Sequence, residues 1–480
     1  MIINNVITDL LDLTDEDSSV TDFHIEGHTK FITIEKNLKS MVCPCCGYKL
    51  YSHGKFKRHP NNPVLQDGYD LNITLIGRRW DCTNKYCDYT YRDQFSFIEP
   101  NKKNTKIVPL MILRDMKDIN LTCRQIADRY HVSDTSVHEI FSQYVSMPRL
   151  PLTPIISIDE VYLNISPQYK YAVVIMDFIT GNILDIIPSR RKDVMERYFL
   201  SIPKEERDKV KYLISDMYNP YINYTYKYFK NSISIVDSFH VLQRLLTYVN
   251  SYINEVKKKY IQRDKKLLEE KNYKNNKDYE TQKDSREVYI LKHAKWVLLM
   301  NQDNYVYKER KYNSFLNQYL DTYDWENMFL DLDPNFKKIR DLKDLYEEFN
   351  GSFINDYDGA TKKLNELIDI YKNSDIKIFR DFAGVLTRYY PYIVNSFKYI
   401  KPTNVRKYHE ELRRLSNGPI ESFNNVPSSL RSRSHGLANF EFNRNRILWS
   451  RRDDAAILAI PKSRKEIHVN TKKKRGPYNK

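Results

Sequence analysis

Long apolar runs are what this chain most plainly lacks. No stretch approaches the roughly 18 consecutive apolar residues of a membrane span, and the start, Met1-Ile2-Ile3-Asn4-Asn5, has neither the basic segment nor the apolar segment of a secretory leader. Glycine is scarce, 12 in 480 residues against 38 tyrosines, which excludes a low-complexity or collagen-like polymer. No segment of 20–50 residues repeats, so a solenoid is excluded as well. Cysteine is limited to six positions, Cys43, Cys45, Cys46, Cys82, Cys87 and Cys123, too few and too clustered for a disulfide framework. Acid is in deficit: the net charge is +15 and the isoelectric point about 9.1. Residues 401–480 hold 19 Lys and Arg against 7 Asp and Glu, so most of the excess is gathered at one end, as in a protein with a polyanionic partner. These features place the chain in a reducing cytoplasm.

What is present reads as several domains, since 480 residues exceed one compact core. Residues 1–100 are strand-like, with turns such as Pro60-Asn61-Asn62-Pro63; 101–150 read as short helices ending at Pro148 and Pro151. Residues 152–244 alternate strand and helix, 245–400 look wholly helical, and 401–455 are basic and partly helical before a basic tail, 456–480, with Lys472-Lys473-Lys474-Arg475. Trp296 and Trp325 are expected to anchor the helical core. The cysteine spacing Cys43-x-x-Cys46 and Cys82-x(4)-Cys87 suits a closed thiolate site for structural zinc. Cys45 is then a spare thiol, and His53 or His59 is the substitute if one cysteine is unused.

Thr122-Cys123-Arg124-Gln125 has the capping-box pattern that opens a helix, with Ile126, Ala127 and Tyr130 inward. Ser133 caps a second helix with Val137, Ile140 and Phe141 inward. Two such helices about a tight turn form either a helix-turn-helix or a plain helical hairpin. In the first case Asp134, Thr135, Ser136 and His138 face the major groove. The turn lacks the usual glycine.

The middle region carries the chemistry. Ile155-Ile156-Ser157-Ile158-Asp159, residues 210–216 ending at Asp216, and Ile233-Ser234-Ile235-Val236-Asp237 are apolar strands, each ending in a carboxylate. Strands at 169–177 and 182–187 and helices at 192–200 and 219–229 complete the order β-β-β-α-β-α-β, a mixed sheet flanked by helices. Carboxylates held at a sheet rim are hard oxygen ligands for Mg²⁺ or Mn²⁺. Asp159 and Asp216 are the first two candidates; Glu160 follows Asp159, but side chains alternate along a strand, so one of the pair is expected to face the site. Far downstream, Asn417 or Gly418 can cap a helix whose first turn holds Pro419 and Glu421. Pro427 is expected to end or kink that helix.

Taken together, Ser157-Ile158-Asp159-Glu160, Tyr171 to Asp177, Ser215-Asp216-Met217-Tyr218 with Tyr221, Asp237-Ser238-Phe239-His240, Asn417-Gly418-Pro419-Ile420-Glu421 with Asn424-Asn425, His435-Gly436, Arg444 and Arg446 resemble the DDE transposases of bacterial insertion sequences, of the ISL-three family. The resemblance spans roughly residues 40–452. It implies a ribonuclease-H-like domain interrupted by an all-α insertion, preceded by a zinc-binding β module and a helix-turn-helix. It further implies a triad Asp159, Asp216 and Glu421 holding two Mg²⁺ or Mn²⁺ ions, with His240 beside the site as a positioning or proton-handling group, or else packed toward the core. The reaction expected is cleavage at the terminal inverted repeats and strand transfer into target double-stranded DNA, by a homodimer or higher oligomer associated with the bacterial nucleoid. Arg431, Arg433, Arg444 and Arg446 join Thr135, Ser136 and His138 as expected DNA contacts. The rival readings are a domesticated, non-enzymatic DNA-binding regulator derived from such a transposase and a structure-specific nuclease on the same fold.

Overall fold

The computed structural model describes residues 13–15, 17–61, 68–98, 102–275, 284–401, 412–433, 439–452 and 455–467. The Asn62-Pro63 end of one expected turn, His435-Gly436 and the tail beyond 467 lie outside these. The chain divides into two units, one made of Met1–Arg149, Leu163–Lys170 and Val426–Lys480, the other of Leu150–Tyr162 and Tyr171–Asn425.

The first unit begins with a six-stranded sheet: β1 (Ser18–Glu26), β2 (Thr29–Lys36), β3 (Met41–Val42), β4 (Lys49–Arg58), β5 (Asp70–Cys82) and β6 (Thr90–Arg92). Its path is β1-β2-β5-β4-β3, with β6 also on β5. Alternation in β2 turns Ile32 and Ile34 inward onto Leu13, Ile73, Leu75 and three residues of the next loop, Phe95, Phe97 and Ile98. Three helices follow, α1 (Ile107–Asp115), α2 (Cys123–Arg129) and α3 (Asp134–Tyr144). The Thr122 capping box forms in full, and Ser133 Oγ accepts from Ser136 N at 3.1 Å. Ile126, Ala127, Tyr130, Val137, Ile140 and Phe141 are buried as their spacing predicts. The place of the absent glycine is taken by His131, with φ +48°.

In the second unit β7 (Ile155–Tyr162), β8 (Tyr171–Asp177) and β9 (Ile183–Ile187) form an antiparallel meander, with Gly181 at φ +73° in the second turn. After α4 (Lys192–Ser201) comes β10 (Tyr212–Ser215), then α5 (Asn219–Tyr228) and β11 (Ile233–Val236). β10 runs parallel to both β7 and β11, so the sheet order is β9-β8-β7-β10-β11. The predicted succession of strands and helices is present, each element but β7 within about two residues of its expected bounds; β7 runs three residues further.

The helical region holds α6 (Ser238–Asn275), α7 (Arg286–His293), α8 (Thr322–Leu330), α9 (Phe336–Gly351), α10 (Tyr357–Lys372) and α11 (Lys377–Asn395). It is not wholly α: a hairpin of β12 (Lys311–Asn313) and β13 (Gln318–Leu320) interrupts it, a pattern too short for periodicity to reveal. Its core is centred on Phe329, Phe336, Tyr346, Phe379 and Phe382, and it is continuous with Ile222 and Val236 of the sheet region. Trp296 and Trp325, expected at that centre, are only partly buried at its margin.

The chain returns through a short pairing of Tyr399–Ile400 with Arg413–Arg414, and Leu415 is buried against Ile155, Ile214 and Ile235 of the sheet. The helix α12 (Gly418–Arg433) follows and continues past Pro427. The helix does not end there: Ile420, Phe423, Pro427 and Leu430 recur at helical spacing and are all buried, and this apolar stripe outweighs one lost hydrogen bond. In the first unit, α13 (Phe440–Arg451) completes the three-helix cluster. Trp449 Nε1 donates to Leu113 O at 3.2 Å, and Lys117 Nζ lies 5.0 Å from the Trp449 ring centroid. No described helix is long and apolar enough to cross a membrane.

Candidate active site and metal centre

β7 and β10 lie side by side only from Ile155–Ser157 opposite Tyr212–Ile214. β10 ends at Ser215 and hands over to Asp216, as expected for a strand-end carboxylate. β7 does not end at Asp159; it continues to Tyr162, with Asp159 paired to Val174 of β8. Asp159 is therefore in mid-strand, at an edge that β10 has left open. That edge explains why Glu160 also borders the cleft, where strand alternation predicted one carboxylate only.

Asn417 fills the gap between the diverging strands. Fully buried, it donates from Nδ2 to Ile158 O and to Asp216 Oδ1, each at 3.2 Å, while its own carbonyl accepts from Glu421 N at 2.9 Å. One residue thus ties β7, the carboxylate after β10 and the helix that carries Glu421. One turn beyond Glu421, Asn424 Nδ2 donates to Asp159 Oδ2 at 2.6 Å. In the first turn of α6, His240 Nε2 lies 2.7 Å from Asp216 Oδ1 and 3.2 Å from Glu421 Oε1. Neither contact has hydrogen-bond geometry, so both act as ion-pair contacts. Asp237, 1% exposed, accepts from Phe239 N at 3.4 Å on Oδ1 and leaves Oδ2 without a partner. Asp237, His240 and Glu421 offer ligand atoms that all lie within 4.8 Å of one another, a set able to hold a metal ion. Asp159, Asp216 and Glu421 line the same cleft, of about 660 Å³.

Crowded acids in a dry place perturb one another. Burial pushes the Asp159 carboxyl up to about 7, with the charges of Asp216 and then Glu421 adding to the effect. Burial likewise raises Asp237. For His240 burial works downward, but Asp216, Asp237 and Glu421 outweigh it and push the imidazole up to about 9, so it is cationic at neutral pH. Glu160 is differently placed: Arg190 Nη1 is 2.6 Å from its Oε2, and the Tyr221 hydroxyl donates to Oε1 at 2.8 Å. That carboxylate is already neutralised by the protein.

Several of these residues were missed by sequence reasoning. Asn424 stands three residues after Glu421, on the same helix face, a signal that was available. Arg244 and Thr247 follow His240 at helical spacing and line the cleft with it, together with Arg190. Asn417, read only as a cap, left no sequence mark of its second role.

In the first unit the register Leu50↔Cys82 brings the β3–β4 turn beside the end of β5. Cys43, Cys46, Cys82 and Cys87 converge there, with Cys43 Sγ 3.7 Å from Cys87 Sγ and Cys46 Sγ 3.4 Å from Cys82 Sγ. A tetrahedral zinc site with bonds of about 2.3 Å has sulfur–sulfur edges of about 3.8 Å, so the spacing fits a four-thiolate metal site. Gly47, at φ +76°, turns the first knuckle, and the Tyr48 N–H lowers the Cys46 thiol to about 7. Cys45 is exposed and outside the set. His53 pairs with Asp81 at 3.3 Å, and His59 Nδ1 lies 3.2 Å from Thr74 Oγ1; neither belongs to the cluster.

The expected DNA contacts fare unevenly. Thr135 is exposed on α3; Ser136 Oγ lies 2.9 Å from Ser133 Oγ in the helix cap; and the His138 ring packs on Phe442, centroids 4.2 Å apart. Arg433 is exposed and donates to Asn120 Oδ1 at 2.6 Å; Arg431 is half-buried. Arg444 donates to Met147 O at 2.9 Å. Arg446, expected to face DNA, is buried at 3% exposure, with its guanidinium on the carbonyls of Leu121 and Asp118. There it braces the loop that opens α2.

The second unit thus joins a mixed five-stranded sheet to a metal-compatible acidic cleft, with the acids drawn from β7, the end of β10 and a late helix. Residues 156–447, more than half of the chain, match the family model for DDE transposases of the ISL-three type, described as Transposase. The chain belongs to the ISL-three family of DDE transposases. No curated protein matches it at significant similarity.

Proposed function

We propose that the chain cuts DNA at the ends of its element and joins the freed 3′-hydroxyl to target DNA, on a ribonuclease-H-like domain with Asp159, Asp216 and Glu421 as catalytic triad. The observation that carries this is the meeting of these three carboxylates in one cleft within the span that matches the transposase family. The residues fit divalent cations. Asp159 is held protonated near neutrality by burial and by neighbouring acids that a cation would screen, and Asp237 Oδ2, Asn417 Oδ1 and Asn424 Oδ1 are buried without partners. Asp159, Asp216 and Glu421 would hold Mg²⁺ or Mn²⁺, with Asp237 and His240 adjoining. When bound, such ions polarise the phosphate and favour ionisation of the attacking oxygen.

The protein's own groups do the rest. Asn424 and Asn417 fix the rotamers of Asp159 and Asp216, so the acids need no rearrangement. Arg190 and Arg244, on the cleft wall, balance the charge of an incoming phosphodiester. His240 Nε2 carries a proton that a leaving oxygen can take. In the first unit the four-thiolate site would hold structural zinc, and α3 would present Thr135 and His138 to the terminal repeats.

The test is a gel shift on the element's terminal repeats beside a Mg²⁺-dependent cleavage assay on the same DNA. Asp159→Asn should abolish cleavage and leave binding intact or slightly tighter, since one negative charge near the phosphates is gone. Wild-type protein that binds the repeats and never cuts them, with Mg²⁺ or Mn²⁺, would make it a DNA-binding regulator instead.

A further inference from the structure

Within the helical region of the second unit, a cavity of about 570 Å³ opens beside the β12–β13 hairpin, a volume typical of small-ligand sites. Its walls are aromatic: Trp296, Tyr305 and Trp325. Trp296 and Tyr305 meet edge to face, with centroids 4.9 Å apart at 81°. The Tyr305 hydroxyl donates to Val297 O at 2.5 Å, so Tyr305 presents its ring to the cavity. Thr322 Oγ1 accepts from Lys308 N at 2.9 Å and donates to Val306 O at 3.3 Å, which fixes the loop that forms one side. The cavity is therefore built, and its two tryptophans lie at the margin of the core, whose centre is among Phe329, Phe336 and Phe382.

The rim carries two unpaired cations. Lys308 and Lys311 are exposed and have no ion-pair partner among the described residues, whereas Arg310 is held by Asp321 at 3.3 Å and Asp324 at 3.4 Å. Glu309 has no ion-pair partner among the described residues, and Asp321 and Asp324 share the one arginine. Beside the cavity, Tyr307 faces Tyr323 at 5.6 Å and Tyr312 faces Tyr319 at 5.2 Å, all four exposed. Exposed rings interleaved with lysines are the chemistry of a stacking platform for unpaired bases, which offers π-faces to any base and cations to the phosphates between them.

We propose that this cavity takes an unstacked nucleobase of the DNA on which the protein acts, with the flanking phosphates at Lys308 and Lys311. The proposal rests on the DNA-cutting reading and adds a single-strand site to it. A second copy of the chain is the poorer occupant of a symmetric contact, because its own lysines would meet these.

The experiment uses the full chain, a short single-stranded oligothymidylate and a duplex of the same length, followed by tryptophan emission and fluorescence anisotropy. The single strand should quench emission. Trp325→Ala should weaken single-strand binding about 5- to 150-fold, the range one base stack carries, with duplex binding unchanged. The paired Lys308→Ala and Lys311→Ala variant, which leaves the core untouched, should weaken it too and flatten its salt dependence. Duplex binding as in wild type with single-strand affinity unmoved by both variants overturns the proposal and leaves the DNA-cutting reading standing. Loss of self-association in Trp325→Ala, with single-strand affinity unmoved, assigns the cavity to a second copy. No binding to either DNA form removes the DNA-cutting reading itself.

Discussion

Replacing Asp159 by Asn should make the cation-free protein more stable at pH 8, not less. The carboxyl moves from an ordinary value of 3.8 to about 7 on folding, chiefly through burial, then through Asp216 and Glu421. A folded value above the unfolded one means that the folded state holds the proton. The contribution to stability is full below about 4 and is lost as pH rises through about 7. At pH 8 the ionised carboxylate costs the fold about 4 kcal/mol. The Asn side chain is nearly isosteric, can still accept from Asn424 Nδ2, and carries no charge to bury. His240 also loses stabilisation with rising pH, through about 9, but its elevation comes chiefly from Asp216, Asp237 and Glu421, so most of it is common to the two proteins, the coupling of His240 to Asp159 being the part that differs. Thermal melts in EDTA from pH 4.5 to 8 should show the variant overtaking wild type, with an advantage at pH 8 on the order of 5–10 °C. Mg²⁺ or Mn²⁺ should reverse the ranking at pH 8 by binding the wild-type site. Parallel pH curves for the two proteins, or a variant less stable than wild type throughout, would refute the reasoning.

Zinc analysis should find one equivalent in the wild-type protein and in Cys45→Ser, and none in Cys82→Ser, since Cys82 belongs to the converging set and Cys45 does not. Asn417→Ala removes donors to Ile158 O and Asp216 Oδ1 and should cost about 1–3 kcal/mol in denaturant melts. Cleavage should fall in Asn417→Ala while end binding holds. Arg446→Met should lower stability by about 2–3 kcal/mol, because a buried guanidinium bonded to carbonyls is lost. Its DNA affinity should keep the wild-type dependence on salt, which a true phosphate contact would reduce by about one ion.

The parts legible in the sequence are those whose signal is local. β10 and β11 are short apolar runs closed by Asp216 and Asp237; the Thr122 capping box needs three neighbours; the cysteine knuckles carry their own spacing. The illegible parts depend on distant partners. Asp159 was read as a strand end because the apolar run stops there, yet β8 holds three further residues of β7 in place. Pro427 was read as a break, yet burial of Phe423 and Leu430 on the same face keeps the helix whole. Arg446 is expected to contact DNA from the family resemblance, but Leu121 and Asp118, more than 300 residues away in the chain, offer it carbonyls. Nothing near Asn417 announces that it bonds a carbonyl 259 positions earlier.

That same distance poses a physical question, since Glu421 must reach Asp159 across the whole helical region. Loop-closure entropy rises only slowly with length, so a long excursion is tolerable if its ends are pinned. Both ends are pinned on the sheet. At the entrance, Val236 belongs to the core of the helices themselves. At the exit, Asn395 Nδ2 donates to Ser234 O at 3.1 Å, Leu415 N donates to Lys398 O at 2.9 Å, and the Leu415 side chain packs under β7 and β10. The middle is braced too: the Tyr389 hydroxyl, on α11, is 3.3 Å from Met217 O, just after Asp216, and 3.0 Å from Asn219 Oδ1, at the start of α5. The helices are thus part of the scaffold that sets two of the three carboxylates. Damage to their packing reaches Asp216 through Tyr389 and Glu421 through Leu415 and Asn417, while Asp159, supported by β8 and Asn424, is the acid least exposed to it.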